Sequence, residues 1–168
     1  TCLSLGLENL AISNYASAAE LAVRLHGAES DRAIELQERR ACAITQVLRR
    51  SFDRSTADDL IEWLTPAAEA SSGHFGDTHN TTLRIRYSLA VALIVVGSGD
   101  AARQHLSSIC QELRSRPTEE RPVSLAGSLA LYSIVLAWAG EVDAAEAASL
   151  EAEAILLTEP ASSVELEW

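Results

Sequence analysis

Apolar residues recur at three- and four-residue spacing along most of this chain, and the runs end at glycines. Ala18, Ala19, Leu21, Ala22 and Leu25 precede Gly27, and Leu83, Leu89, Ala90 and Leu93 precede Gly97. That spacing places the apolar residues on one stripe of an α-helix, and a glycine free to adopt positive φ is a natural helix stop. The pattern predicts eight helices in four pairs. The first pair covers about Cys2–Ser13 and Tyr15–His26, joined at Asn14-Tyr15. In the second, Ser30 or Asp31 opens a helix carrying Ile34, Ala41, Ile44 and Leu48, and Ser55 or Thr56 opens one carrying Leu60, Ile61, Trp63 and Leu64. The second of these is expected to kink or stop at Pro66, which has no N–H to continue the ladder.

A loop is predicted from Ser71 to His79, with Asp77 or Thr78 capping the next helix up to Gly97. The returning helix carries Ala101, Leu106, Ile109, Cys110 and Leu113, and the last pair spans about Val123–Ala139 and Val142–Leu157. Two of these pairs are copies of one pattern. Gly97 and Gly140 lie 43 apart, as do Asp100-Ala101-Ala102 and Asp143-Ala144-Ala145, and Gly27 and Gly76 lie 49 apart. A period of this size describes helical hairpins that bury their apolar faces on one another. Residues 1–157 are therefore expected to form one helical-repeat domain, with 158–168 as an acidic tail. Ala90, Leu93, Ala101, Leu136 and Ala144 are expected between helices. Leu3, Leu5, Leu7 and Leu10 at one end, and Ile155, Leu156 and Leu157 at the other, are candidates for self-association or contact with a parent chain.

Composition narrows the class. The alanine- and leucine-rich sequence of 168 residues favours an all-α domain. No apolar run reaches membrane-spanning length and no signal peptide is visible, so a cytoplasmic setting is expected. A chain that starts at Thr1 and holds no Met reads as an excised piece. Cys2, Cys42 and Cys110 have no metal-like spacing and read as buried free thiols. The net charge is −11 and every Lys/Arg position is arginine, a bias that suggests a bacterial genome of high GC content. Such acidity disfavours nucleic acid as a partner, although Arg32, Arg39, Arg40, Arg49, Arg50 and Arg54 cluster early while residues 141–168 hold eight acids and no Arg.

The run Gly76-Asp77-Thr78-His79-Asn80-Thr81-Thr82-Leu83-Arg84-Ile85-Arg86-Tyr87-Ser88-Leu89-Ala90-Val91-Ala92-Leu93, followed by Gly97 and Ala101, resembles the tetratricopeptide repeats of the kinesin-light-chain type. Those repeats have a Gly-x-x-His loop, a Thr-Leu pair, an Asn-x-Leu-Ala-like centre and a Gly turn. The resemblance covers residues 74–116 most fully, then 117–157 and 27–72, and 1–26 least. It implies a right-handed superhelix of antiparallel helix pairs, an α-solenoid, whose first helices line a concave groove that holds a peptide. Similar repeats occur at the sensory ends of bacterial signalling proteins. The family's groove Asn positions fall here at Tyr87 and Ser88, a departure from the pattern; the matching positions are Glu38 and Arg39 one repeat earlier, and Ala130 and Leu131 one repeat later.

Catalytic chemistry finds little support in these residues. His74 and His79 flank a Gly loop near Asp77 and Glu69, short of a metal ligand set. His105 and Cys110 lie five apart, off a common helix face. No phosphate loop or nucleophile elbow is present. Trp63 and Trp138 sit among apolar neighbours and are expected in the core. The sequence thus points to a non-catalytic scaffold that holds a peptide or protein segment without cofactor or metal, and binds neither nucleic acid nor membrane. Arg39, Arg84, Tyr87 and Ser88 are the candidate groove residues. An arginine wall beside an aromatic suits a carboxylate-bearing segment. The alternative is a sensory or regulatory segment of a larger NTPase or DNA-binding signalling protein.

Overall fold

A computed structural model describes residues 8–121 and 123–158. Among them the chain is all helical, with seven α-helices and a single 3₁₀ turn at Thr118–Glu120. The helices are α1 (Glu8–His26), α2 (Asp31–Ser51), α3 (Arg54–Phe75), α4 (Asn80–Val96), α5 (Gly99–Arg114), α6 (Leu125–Trp138) and α7 (Val142–Thr158). Each packs on the next in sequence, and α2 also packs on α4 and α4 on α6. Thus α2, α4 and α6 form one row, flanked by α1, α3, α5 and α7. Gly97 and Ser98 connect α4 to α5, and the two helices pack on each other.

The helix count differs from the eight expected at one place. α1 runs unbroken through Asn14 and Tyr15, so the connection predicted there does not exist. Neither residue blocks a helix; two polar residues alone are weak evidence for a break. The predicted helix start at Cys2, with Leu3, Leu5 and Leu7, lies outside the described residues.

Three further boundaries move. α3 passes through Pro66 and continues to Phe75, so Ser71, Ser72, Gly73 and His74 are helical and the loop shrinks to Gly76–His79. Next to the proline, the Thr65 hydroxyl donates to the Ile61 carbonyl at 2.9 Å. Packing of α3 against α2 and α4 outweighs the missing bond. The N-caps are Asp53 for α3, which accepts from Thr56 N at 2.8 Å, and His79 for α4, whose Nδ1 accepts from Thr81 N at 3.3 Å. Neither Ser55 nor Thr56 opens α3, and neither Asp77 nor Thr78 opens α4. Ser30 caps α2 as one of the two residues expected.

Four glycines, Gly27, Gly76, Gly97 and Gly140, hold positive φ at the turns the sequence marks. The core runs continuously from Ile34 and Leu48 through Leu64, Leu83, Ile85 and Leu106 to Leu129 and Val135. α4 sits at its centre, buried on nearly every side because α2, α3, α5 and α6 surround it. Ser71 and Thr82 share a 2.8 Å hydrogen bond inside the α3–α4 contact, so neither hydroxyl is left unsatisfied there. Ala90, Leu93 and Leu136 are buried as expected; Ala101 is only partly buried and Ala144 is exposed. The buried residue of each Asp-Ala-Ala is the second alanine, Ala102 or Ala145. No helix among the described residues is long and apolar enough to cross a membrane.

Candidate binding surface

The row of α2, α4 and α6 brings together part of the set expected to line a groove. Arg84 on α4 reaches Glu38 on α2, with Nη1 donating to Oε1 at 3.2 Å, and its side chain stays one-third exposed. Glu38 also accepts from the Cys42 thiol at 3.7 Å. Burial, with Glu38 beside it, pushes the Cys42 pKa up to about 12, so this cysteine is a packed thiol and not a nucleophile. Arg39 lies next to Glu38 on α2 and is exposed.

Tyr87 and Ser88 do not join Arg39 and Arg84. They are 3% and 2% exposed, inside the core. The Tyr87 ring fills the junction of α4 and α6, so that a Cβ on Gly127 would lie 3.8 Å from its hydroxyl. Burial raises the Tyr87 pKa. The physical reason is crowding: a helix with neighbours on four sides leaves little of its surface open, and Tyr87 and Ser88 fall on the enclosed part. Periodicity alone cannot tell which polar positions of so apolar a helix fall on the open part.

Arg84 and Arg86 diverge by about 200° on a helix, and they take different partners. Arg86 pairs with Asp77 at 2.5 Å, on the α3–α4 loop, and donates to Ser72 at 3.4 Å. The Ser72 and Arg86 bonds hold the Asp77 pKa below its ordinary value. This cluster fixes the loop geometry and uses up Arg86. Of the next pair's equivalents, Ala130 is exposed and Leu131 partly buried, so the row becomes apolar toward α6.

The histidine loop is built for packing. His74 Nε2 lies 2.5 Å from Asp31 Oδ1, and the Phe75 ring stands edge-on to His74 and stacked on His79. Beside it, Glu29, Pro66, Glu69, Ala70, Gly73 and His74 border an open cleft of about 500 Å³. No group of three or more His, Cys, Asp or Glu side chains placed to hold a metal ion occurs among the described residues. On α5, Cys110 is fully buried with its pKa raised by burial to about 12, and burial, then Arg86, lowers the His105 pKa. Neither is prepared for nucleophilic work.

The tryptophans part company. Trp63 is partly buried, and the Arg40 guanidinium sits 4.5 Å above its ring, linking α2 to α3. Trp138 is exposed, contrary to the expectation of a core residue. It leans on the start of α5, where a Cβ on Gly99 would meet its ring at 3.5 Å. Sequence reasoning also missed Ile134 and Leu150 as surface residues. Their signal was the uncharged sequence of α6 and the leucines that stand among the glutamates of α7. Leu10, Leu156 and Leu157 are exposed at the two ends as expected, whereas Ile155 packs partly against the core. Compared with protein-family models and with curated proteins, the chain matches none.

Proposed function

We propose that this chain is a non-catalytic tetratricopeptide-type scaffold, a right-handed superhelix of antiparallel pairs that binds a peptide or protein segment along the row of α2, α4 and α6. The observation that carries the reading is that row itself: the first helix of each pair packs on the first helix of the next. A contiguous line of first helices offers an extended surface rather than an enclosed cavity, which suits a chain segment better than a small molecule. Arg39 is an exposed cation on α2, and Arg84 can exchange Glu38 for a ligand carboxylate. A ligand bearing carboxylates fits both. The net charge of −11 opposes long-range attraction, so binding is local, modest and weakened by salt.

Selection from a displayed random-peptide library tests this. Enriched peptides should be acidic, and Arg39→Ala with Arg84→Ala should weaken them about tenfold or more while helicity stays unchanged. Peptides that bind the double variant as tightly as the parent protein would remove the assignment of this surface.

A further inference from the structure

Contacts between successive first helices recur in register. Arg84 of α4 reaches Glu38 of α2 at 3.2 Å. Their equivalents are Gly127 of α6 and Tyr87 of α4, 43 and 49 residues on, and a Cβ on Gly127 would lie 3.8 Å from the Tyr87 hydroxyl. The same position of each first helix thus meets the same position of the one before it. One turn on from Glu38, the Cys42 thiol donates to the Glu38 oxygen that Arg84 also reaches, and the equivalent residue on α4 is Val91. On α6 the corresponding residues are Ala130 and Ile134.

Among the described residues α6 is the last first helix, so no following one reaches these two. Ile134 is 41% exposed and Ala130 is exposed, where Val91 and Tyr87 are 4% and 3% exposed. Ala137 is exposed as well, whereas its equivalents Ile94 and Thr45 are partly buried and buried. Ala130, Ile134 and Ala137 stand at i, i+4 and i+7, which is one stripe of the helix. α6 carries no charged residue, so nothing charged on this helix borders the stripe.

We propose that a helix of a partner protein docks on this stripe in the place of a further first helix, with a large apolar side chain seated over Ala130. Size sets that side chain: where α4 and α6 meet, Gly127 leaves room for the Tyr87 ring, and Ala130 is the small member of the next contact. The uncharged stripe sets its polarity, because a charge placed there would be desolvated without a partner. A second copy supplies no such helix. Its α2 would bring Glu35, the equivalent of Arg84, onto Ala130, and Glu35 is an exposed charge paired with Arg32. Its α6 offers 14 residues, about 21 Å of helix, and one face of that falls well short of the roughly 800 Å² per partner that a stable dimer buries. A free helix can instead lie against α6 and α7 together, as α6 lies against α4 and α5. The inference rests on reading α2, α4 and α6 as one row and fills its open end, where Arg39 and Arg84 take no part.

Three synthetic 20-residue helical peptides test it by calorimetric titration into the full chain. One carries a leucine stripe with a central phenylalanine, one the same stripe with alanine in its place, and one the first composition in scrambled order. The phenylalanine peptide should bind, and the other two should bind at least tenfold more weakly. Ala130→Phe should fill the gap and reverse the preference between the first two, and Ile134→Lys should weaken both tenfold or more. Both substitutions fall at exposed positions, so circular dichroism should be unchanged. Arg84→Ala should leave this binding unchanged while weakening the acidic peptides selected above, so that either reading can fail alone. No binding of the phenylalanine peptide, equal binding of the scrambled one, or affinities unmoved by Ala130→Phe and Ile134→Lys overturns the proposal. So does a dimer in sedimentation that Ile134→Lys dissociates, since a second copy would then be the occupant. A chain ended at Thr158 that binds the phenylalanine peptide tenfold more tightly would likewise overturn it, in favour of residues 159–168.

Discussion

α5 and α7 are the second helices of equivalent pairs, yet they are held in different ways. α5 lies against α4 and α6 and buries Ala102, Leu106, Ile109, Cys110 and Leu113. α7 lies against α6 and buries Ala145, Ala148 and Ala152. The positions shared by both are those facing the partner within the pair, where Ala102 corresponds to Ala145 and Ile109 to Ala152. The positions that differ are buried on α5, which has a helix on either side, and open on α7, which has one: Leu106, Cys110 and Leu113 become Ser149, Glu153 and Leu156, all exposed. The repeat therefore specifies the contact inside a pair, and its neighbour determines whether the outer stripe is apolar and buried. Alanine contacts bury less area per residue than leucine and isoleucine, so α7 is the element expected to open first.

The sharpest way to break this comparison is to truncate the outer stripe in both helices. Leu106→Ala or Leu113→Ala should each cost about 2–5 kcal/mol, because each removes a fully buried side chain and leaves a cavity. Leu156→Ala should stay within about 0.5 kcal/mol. Urea denaturation of the three variants decides it. A loss at Leu156 comparable to that at Leu106 would mean that something already covers α7 in solution.

Overpacking probes the inner face with a somewhat smaller effect. Ala102→Trp should cost about 1–3 kcal/mol or more, since Ala102 is fully enclosed. Ala144→Trp projects from an exposed position and should leave the thermal midpoint nearly unchanged. A large loss from Ala144→Trp would show that the Asp-Ala-Ala register is displaced by one residue.

That register shows how far the sequence could be read. Amphipathic spacing and glycine stops are local signals, and they located the α4–α5 and α6–α7 turns and the positive-φ glycines well. They located α3 less well, because Pro66 and the small residues after it look like a break unless tertiary packing is known. They failed at Asn14-Tyr15, where polar composition imitates a turn. The exposure of the candidate groove residues was legible only in part. Arg39 is exposed and Arg84 one-third exposed, but Tyr87 and Ser88 sit on a helix enclosed on four sides, and enclosure is a property of the whole assembly. For the same reason Trp138 reads as core from its neighbours in sequence and is exposed in the fold.

Backbone strain offers a comparison in which the two pairs should behave alike. Gly97 and Gly140 have φ of 84° and 78°, and a Cβ on either meets nothing within 4 Å. The cost of Gly97→Ala or Gly140→Ala is then conformational alone, about 1 kcal/mol each. Equal losses in equilibrium unfolding mean that both turns fold within one cooperative unit. A Gly140→Ala variant with undiminished global stability, and faster amide exchange confined to α7, would show that the terminal pair opens by itself.

The smallest expected effect is a pH dependence present in α5 and absent from α7. His105 is half-buried, and burial first and Arg86 second hold its pKa below the ordinary value of 6.5; the equivalent residue on α7 is Ala148. Because the folded value is the lower one, the unfolded chain takes up the proton first as pH falls. Stability contributed by neutral His105 is therefore complete above about pH 6.5 and is lost as pH falls through the depressed folded value. Glu151, held below its ordinary 4.5 chiefly by its hydrogen bond to Arg114, adds a second loss at lower pH, and that pair is exposed enough that screening keeps it small. The thermal midpoint of the parent protein should decline between pH 7 and 5.5, and His105→Ala should remove most of that decline while leaving the loss below pH 4.5. An identical decline in the variant would assign it to other groups and remove His105 from the comparison.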